Sequence, residues 1–117
     1  MAKFGALLRQ TRSASGVSMG KVARYLNMKV SHLSDVEFSR RAPLSAERIR
    51  KLGELLQIDP QPLLLAAAEE KGVFELETQN VSARKREFVA ALARELPDMD
   101  DVRLSYLEEI VRRKEDR

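Results

Sequence analysis

Apolar residues recur at helical spacing along most of the chain, and glycine, proline or polar clusters interrupt them at regular intervals. In residues 3–14, Phe4, Leu7, Leu8 and Thr11 share one face, and Gly16 is placed to end that helix in the left-handed conformation. Ser18 is a good N-cap for a second helix over about 18–26, with Val22, Ala23 and Leu26 on its inner face. A third helix, about 29–38, turns Leu33 and Val36 inward, although Lys29 stands where a Ser or Thr cap is expected. Pro43 biases Ala42 towards extended backbone, so this helix must stop before it. Ser45 caps a fourth helix, Leu44 and Ile49 form a hydrophobic staple across its start, and Ile49, Leu52, Leu55 and Leu56 make its stripe. Asp59 and Pro60 predict a fifth start, with Asp as cap and Pro as first helical residue; Leu63, Leu64 and Ala67 face the core and Gly72 stops it. Val73-Phe-Glu-Leu76 alternates apolar and polar and reads as a short strand or an extended strap. After the polar connector Thr78–Ser82, a sixth helix runs to about Leu96 with Phe88, Val89, Leu92 and Leu96 as its stripe, and Pro97 ends it. Asp98 is the expected cap of a seventh helix carrying Asp100 and Asp101 in its first turn and Val102, Leu104, Leu107, Ile110 and Val111 as apolar contacts.

The pattern therefore predicts an all-α chain: a five-helix domain over residues 1–72, a short strap, and a C-terminal helical hairpin within residues 73–117. The second and third helices are special. Only Leu26-Asn27-Met28 separates them, and Asn tolerates the left-handed region better than most non-glycine residues. Two short helices joined by such a turn, each with an apolar seam, make a helix-turn-helix. The third helix then presents Lys29, Val30, Ser31, His32, Ser34 and Asp35 to solvent.

Charge sharpens this picture. Residues 1–57 hold eleven Lys/Arg against four Asp/Glu, while residues 58–117 hold ten against fourteen, so a net charge of +3 conceals a basic front and an acidic back. That layout suits a nucleic-acid reader carrying an oligomerisation or partner segment. With no Cys and one His, the chain has no thiol nucleophile, no disulfide and no His-rich metal site. It has no Gly-rich phosphate loop, and Asp98, Asp100 and Asp101 lack the Gly and distal Glu of a calcium loop. No catalytic, metal or cofactor role is expected. The longest apolar run, Pro62–Ala68, is far short of the roughly 20 residues of a membrane span, and the first nine residues lack the apolar stretch of a signal peptide. A cytoplasmic protein without membrane contact is the expectation.

Residues 4–65 resemble the phage-repressor helix-turn-helix family, the Xre-type group of Cro and the lambda and 434 repressors. The resemblance rests on Phe4, Leu8-Arg9 and Arg12, then Gly16-Val17-Ser18, Val22-Ala23 with Leu26, Val36-Glu37, Arg40-Arg41 with Pro43, and Ile49…Leu52…Leu55-Leu56-Gln-Ile58-Asp59 leading to Leu63-Leu64. It implies a DNA reader whose base-facing positions are Lys29, Val30, Ser31 and Asp35. Lys29 can donate to guanine N7 or O6, and Val30 can pack on a thymine methyl. Ser31 can donate or accept; Asp35 either accepts from cytosine N4 or repels phosphate and excludes wrong sites. Ser18, His32, Ser34, Arg40 and Arg41 are the expected phosphate contacts, with Lys21 and Arg24 weaker candidates. The resemblance also implies that Arg12 and Glu37 pair with each other as framework. Three positions depart from the family: Met19 replaces the Gln that opens the second helix, Asn27 the turn Gly, and Ser39 the Gly after the recognition helix.

One recognition helix reads few base pairs, and such proteins bind as dimers on half-sites about 34 Å apart. The tail is the expected dimer element, through Phe88, Leu92, Leu96, Leu104, Leu107 and Ile110; the alternative is that it folds back on the fourth and fifth helices of its own chain. The function expected from these readings is a sequence-specific transcriptional regulator, a homodimeric repressor on a pseudo-palindromic operator in double-stranded DNA. The alternative is an antitoxin-like interaction module whose DNA binding serves autoregulation, with a protein partner at the C-terminal segment.

Overall fold

The computed structural model describes residues 3–114; the outermost residues of the expected ranges 1–72 and 73–117 lie outside them. Among the described residues seven helices run in order: α1 (Lys3–Ala14), α2 (Met19–Tyr25), α3 (Val30–Glu37), α4 (Ala46–Leu56), α5 (Gln61–Lys71), α6 (Ala83–Glu95) and α7 (Asp101–Arg112), with a 3-10 turn at Leu96–Asp98 before the last. No strand occurs among the described residues, and residues 73–76 are exposed and form no regular element. The chain divides into two compact units between Glu75 and Leu76.

Local chemistry explains most helix ends in the first unit. Ser18 Oγ accepts from the Lys21 amide at 3.1 Å, and Ser45 Oγ from the Arg48 amide at 3.3 Å, each satisfying a donor that the first turn leaves free. Gly16 and Gly72 both take positive φ, at 70° and 72°. Three non-glycine residues do the same: Asn27 (56°), Ser39 (62°) and Gln57 (55°). Asn27 makes the tight α2–α3 turn. Ser39 follows α3 with the left-handed backbone that a glycine would supply, so the loop keeps that shape without one. The α5 boundary differs by one residue from the sequence expectation. Pro60 is the N-cap and Gln61 the first helical residue, while Asp59 Oδ1 still accepts from the Gln61 amide at 3.0 Å, so the carboxylate acts from outside the helix.

The five stripes meet in one core. Phe4, Leu8, Val22, Ala23, Leu26, Leu33, Val36, Leu44, Ile49, Leu52, Leu56 and Leu63 are buried, and Ala66 and Ala67 close the α5 side. Helix α1 packs on both α3 and α5. The α1–α3 crossing depends on Gly5, because a Cβ there would lie 2.6 Å from the Val36 carbonyl oxygen and 2.7 Å from that of Glu37. Two long-range hydrogen bonds fasten α5: Glu70 Oε1 accepts from the Phe4 amide at 2.8 Å, and Lys71 Nζ donates to the Leu44 carbonyl at 3.4 Å.

The second unit is built differently. Ser82 caps α6, accepting from the Lys85 amide at 3.2 Å. The cap of α7 is Asp100, not Asp98: Asp100 Oδ1 accepts from the Arg103 amide at 2.8 Å, because Pro97 bends Leu96–Asp98 into the 3-10 turn and delays the start. Helices α6 and α7 bury no residue. Leu92 and Leu107 are half-buried, whereas Phe88, Leu96, Leu104 and Ile110 are exposed.

Candidate nucleic-acid interface

Helix α3 is only eight residues long, yet it serves two surfaces. Leu33 and Val36 enter the core, and Glu37 follows them to 1% exposure. A carboxylate at that depth requires a partner. Arg12 supplies it bidentately: Nε donates to Oε2 at 2.6 Å and a terminal nitrogen to Oε1 at 3.0 Å, while the other reaches the Val17 carbonyl at 3.3 Å. The Arg12 guanidinium has its pKa raised, chiefly by the hydrogen bond to Glu37, partly opposed by burial. The pair ties α1 to the end of α3 and holds the short helix in a fixed orientation.

The N-terminal end of α3 faces the other way. Lys29 is the N-cap with extended backbone and no side-chain cap bond, so the first-turn amides of α3 have no side chain closing them. Lys29, Val30 and Ser31 are exposed, and Val30 is an apolar side chain in open solvent. His32 and Ser34 are half-buried, set back from that edge. Ser18 is exposed at the start of α2, where its oxygen already serves the Lys21 amide and its proton remains available to donate. Lys21 and Arg24 are exposed on α2. Met19, where the family pattern has Gln, is half-buried and packs against the core, so it braces α2 by apolar contact.

The C-terminal end of α3 gathers charge. Asp35 lies 3.3 Å from Arg40 through Oδ1 and 3.6 Å from Arg41 through Oδ2. Its oxygens therefore already face two cations, and a base contact from Asp35 would require one of them to let go. Phe38, the C-cap residue, leaves the core and is 51% exposed. The guanidinium of Arg9 lies 5.1 Å from its ring centroid and that of Arg40 lies 5.3 Å away. Sequence reasoning missed both Phe38 and Arg9 as members of this patch. Helical spacing places Arg9 beside the α1 stripe, but only the α1–α3 crossing brings it to residue 38.

Among the described residues, no group of three or more His, Cys, Asp or Glu side chains is arranged to hold a metal ion, and no helix is long and apolar enough to cross a membrane. A comparison with curated proteins gives no match. A family model described as a helix-turn-helix domain matches residues 3–66, which span α1 to α4 and half of α5. The match covers more than half of the chain and contains the short α2, the Asn27 turn and the two-sided α3; the chain belongs to this helix-turn-helix family.

Proposed function

We propose that this protein is a sequence-specific DNA-binding transcriptional regulator of the Xre type, acting as a dimeric repressor on a pseudo-palindromic operator. The observation that carries the reading is the two-sidedness of α3: Leu33, Val36 and Glu37 are locked inward while Lys29, Val30 and Ser31 stand exposed at its N-terminal edge. A helix held this way enters the major groove with those side chains at base edges. Lys29 reads guanine, Val30 packs on a thymine methyl, and Ser31 donates or accepts. Arg40, Arg41 and Ser18 hold the phosphates on either side, with His32 and Ser34 reaching the backbone from behind the reading edge.

Residues 1–72 form the DNA-binding domain in this reading, and residues 73–117 the dimerisation segment. The support for the second part is physical. Helices α6 and α7 are 13 and 12 residues long and bury nothing, and isolated helices of about 12–15 residues are marginal in water. A second copy presenting the same stripe would cover Phe88, Leu92, Leu96, Leu104, Leu107 and Ile110 across a two-fold axis. The same uncovered stripe also suits an antitoxin-like protein partner.

Selection of bound sequences from a random DNA pool, followed by titration of the winner against random DNA over a salt series, tests the reading. A preference of about 10³-fold or more that survives added salt is the expected result. Binding that is sequence-blind and collapses with salt would overturn it. Sizing of the purified chain gives the oligomeric state; a monomer that acquires its stoichiometry only with a co-purifying protein would favour the antitoxin reading.

A further inference from the structure

We propose that Phe38 is a positioning residue: its exposed ring holds Arg9 and Arg40 as the two arms of a clamp for consecutive backbone phosphates beside the recognition helix. The inference rests on the DNA-binding reading above and adds to it a residue with no polar atom of its own. Phe38 follows the buried Val36 and Glu37 directly, yet its ring is out of the core and half in water. Two guanidinium groups from different parts of the chain, one on α1 and one in the loop after α3, lie within about 5 Å of its centroid. A cation over an aromatic face is attracted by the ring quadrupole, and a guanidinium can stack there while its N–H edge remains free to donate.

The charges around the ring define what the clamp can take. Arg9 makes no salt bridge among the described residues, whereas Arg40 and Arg41 share the carboxylate of Asp35. The patch holds three guanidinium groups and one carboxylate, which only Arg40 and Arg41 contact, and this leaves a surplus of positive charge on planar, fork-shaped donors. That is the chemistry of a phosphodiester oxygen pair. Asp35 and Phe38 act together: the acid bonds Arg40 at 3.3 Å and the ring lies 5.3 Å from its guanidinium, so the arm is held in place before DNA arrives. Long arginine side chains lose rotamer freedom when they bind, and pre-ordering reduces that loss.

The test uses the full chain and the DNA sequence it selects. Phe38→Leu is expected to weaken binding by up to roughly fivefold to thirtyfold, the range for complete loss of two exposed cation–π supports, and to lower the slope of log K against log salt by about one. Phe38→Tyr keeps the ring and is expected to restore both affinity and slope. Base preference at each position should not change in either variant, because the clamp touches no base edge. Thermal melts of both variants are expected to match wild type, since the ring is outside the core. If Phe38→Leu binds with wild-type affinity and slope while the wild-type chain itself binds its site, the clamp is wrong and the DNA reading stands. If the wild-type chain has no preferred site, the failure lies in the functional reading instead. A Phe38→Leu variant that binds weakly and melts early, with no rescue by Tyr, would make Phe38 a packing residue and overturn the positioning role.

Discussion

The two units of this chain use the same helical vocabulary to opposite ends. The unit that ends at Glu75 closes five stripes on each other, and the one buried charge among its described residues, Glu37, is fully partnered. The unit that begins at Leu76 has comparable helices with comparable caps and buries nothing among its described residues. The difference shows that capping and periodicity suffice to form helices on paper, while stability requires a surface for the stripe to meet. The first unit carries that surface within itself. The second shows no such surface among its described residues.

The sharpest way to break the contrast is to disable the first unit from inside. Glu37→Ala should leave the Arg12 guanidinium without its partner in a largely buried site, at about 3–5 kcal/mol. The expected result is a thermal transition lowered to the point of unfolding; a melt unchanged from wild type would show that Arg12 escapes to solvent. Gly5→Ala comes next. Its Cβ would meet backbone oxygens that cannot swing away, so α1 and α3 must separate, and about 1–3 kcal/mol is expected from denaturant titration.

The second unit should respond in the opposite manner. Leu107→Asp is expected to change the melting of the first unit by no more than about 0.5 kcal/mol, as for surface substitutions. On the proposed dimer it should nevertheless produce a monomer on sizing and raise the protein concentration needed to fill the selected DNA site. Hydrogen exchange sharpens the same point: α6 and α7 amides should be protected in the dimer and exchange fast in the variant, while α1–α5 amides keep their protection. The smallest effect is expected for Asp35→Asn. Exposed ion pairs contribute about 0–1 kcal/mol, so stability should barely move. Affinity for random DNA should fall modestly as Arg40 loses the carboxylate that pre-orders it, and a loss of base preference at one operator position would instead assign Asp35 a direct base contact.

Much of the fold was legible in the residues because its determinants are local. Ser18, Ser45 and Ser82 each sit three residues before the amide they accept from, and Gly16, Asn27 and Gly72 take the left-handed backbone their side chains permit. Errors arose where two local signals competed. Asp59 precedes a proline and Asp98 follows one, and in each case the helix begins later than the acid suggests, at Gln61 and Asp101. Neither Ser39 nor Gln57 favours positive φ by its own side chain, and only the resemblance, with its Gly at position 39, points to one of them; the chain on both sides of each is anchored in the core, and the tertiary structure imposes the turn.

The candidate site divides along the same line. Lys29, Val30 and Ser31 could be placed at an exposed helix edge by counting from Leu33 and Val36, since a period of 3.6 residues decides which side chains face out. The bridging of Arg40 and Arg41 by Asp35 is nearly local, five and six residues away. The approach of Arg9 to Phe38 is not. It spans two helices and a helix crossing that depends on the absent side chain of Gly5. Periodicity therefore decided which faces turn inward, because that is a property of consecutive residues. Only the packing of α1 on α3 decided which outward-facing charges stand together, because distance between segments is set by the core they share.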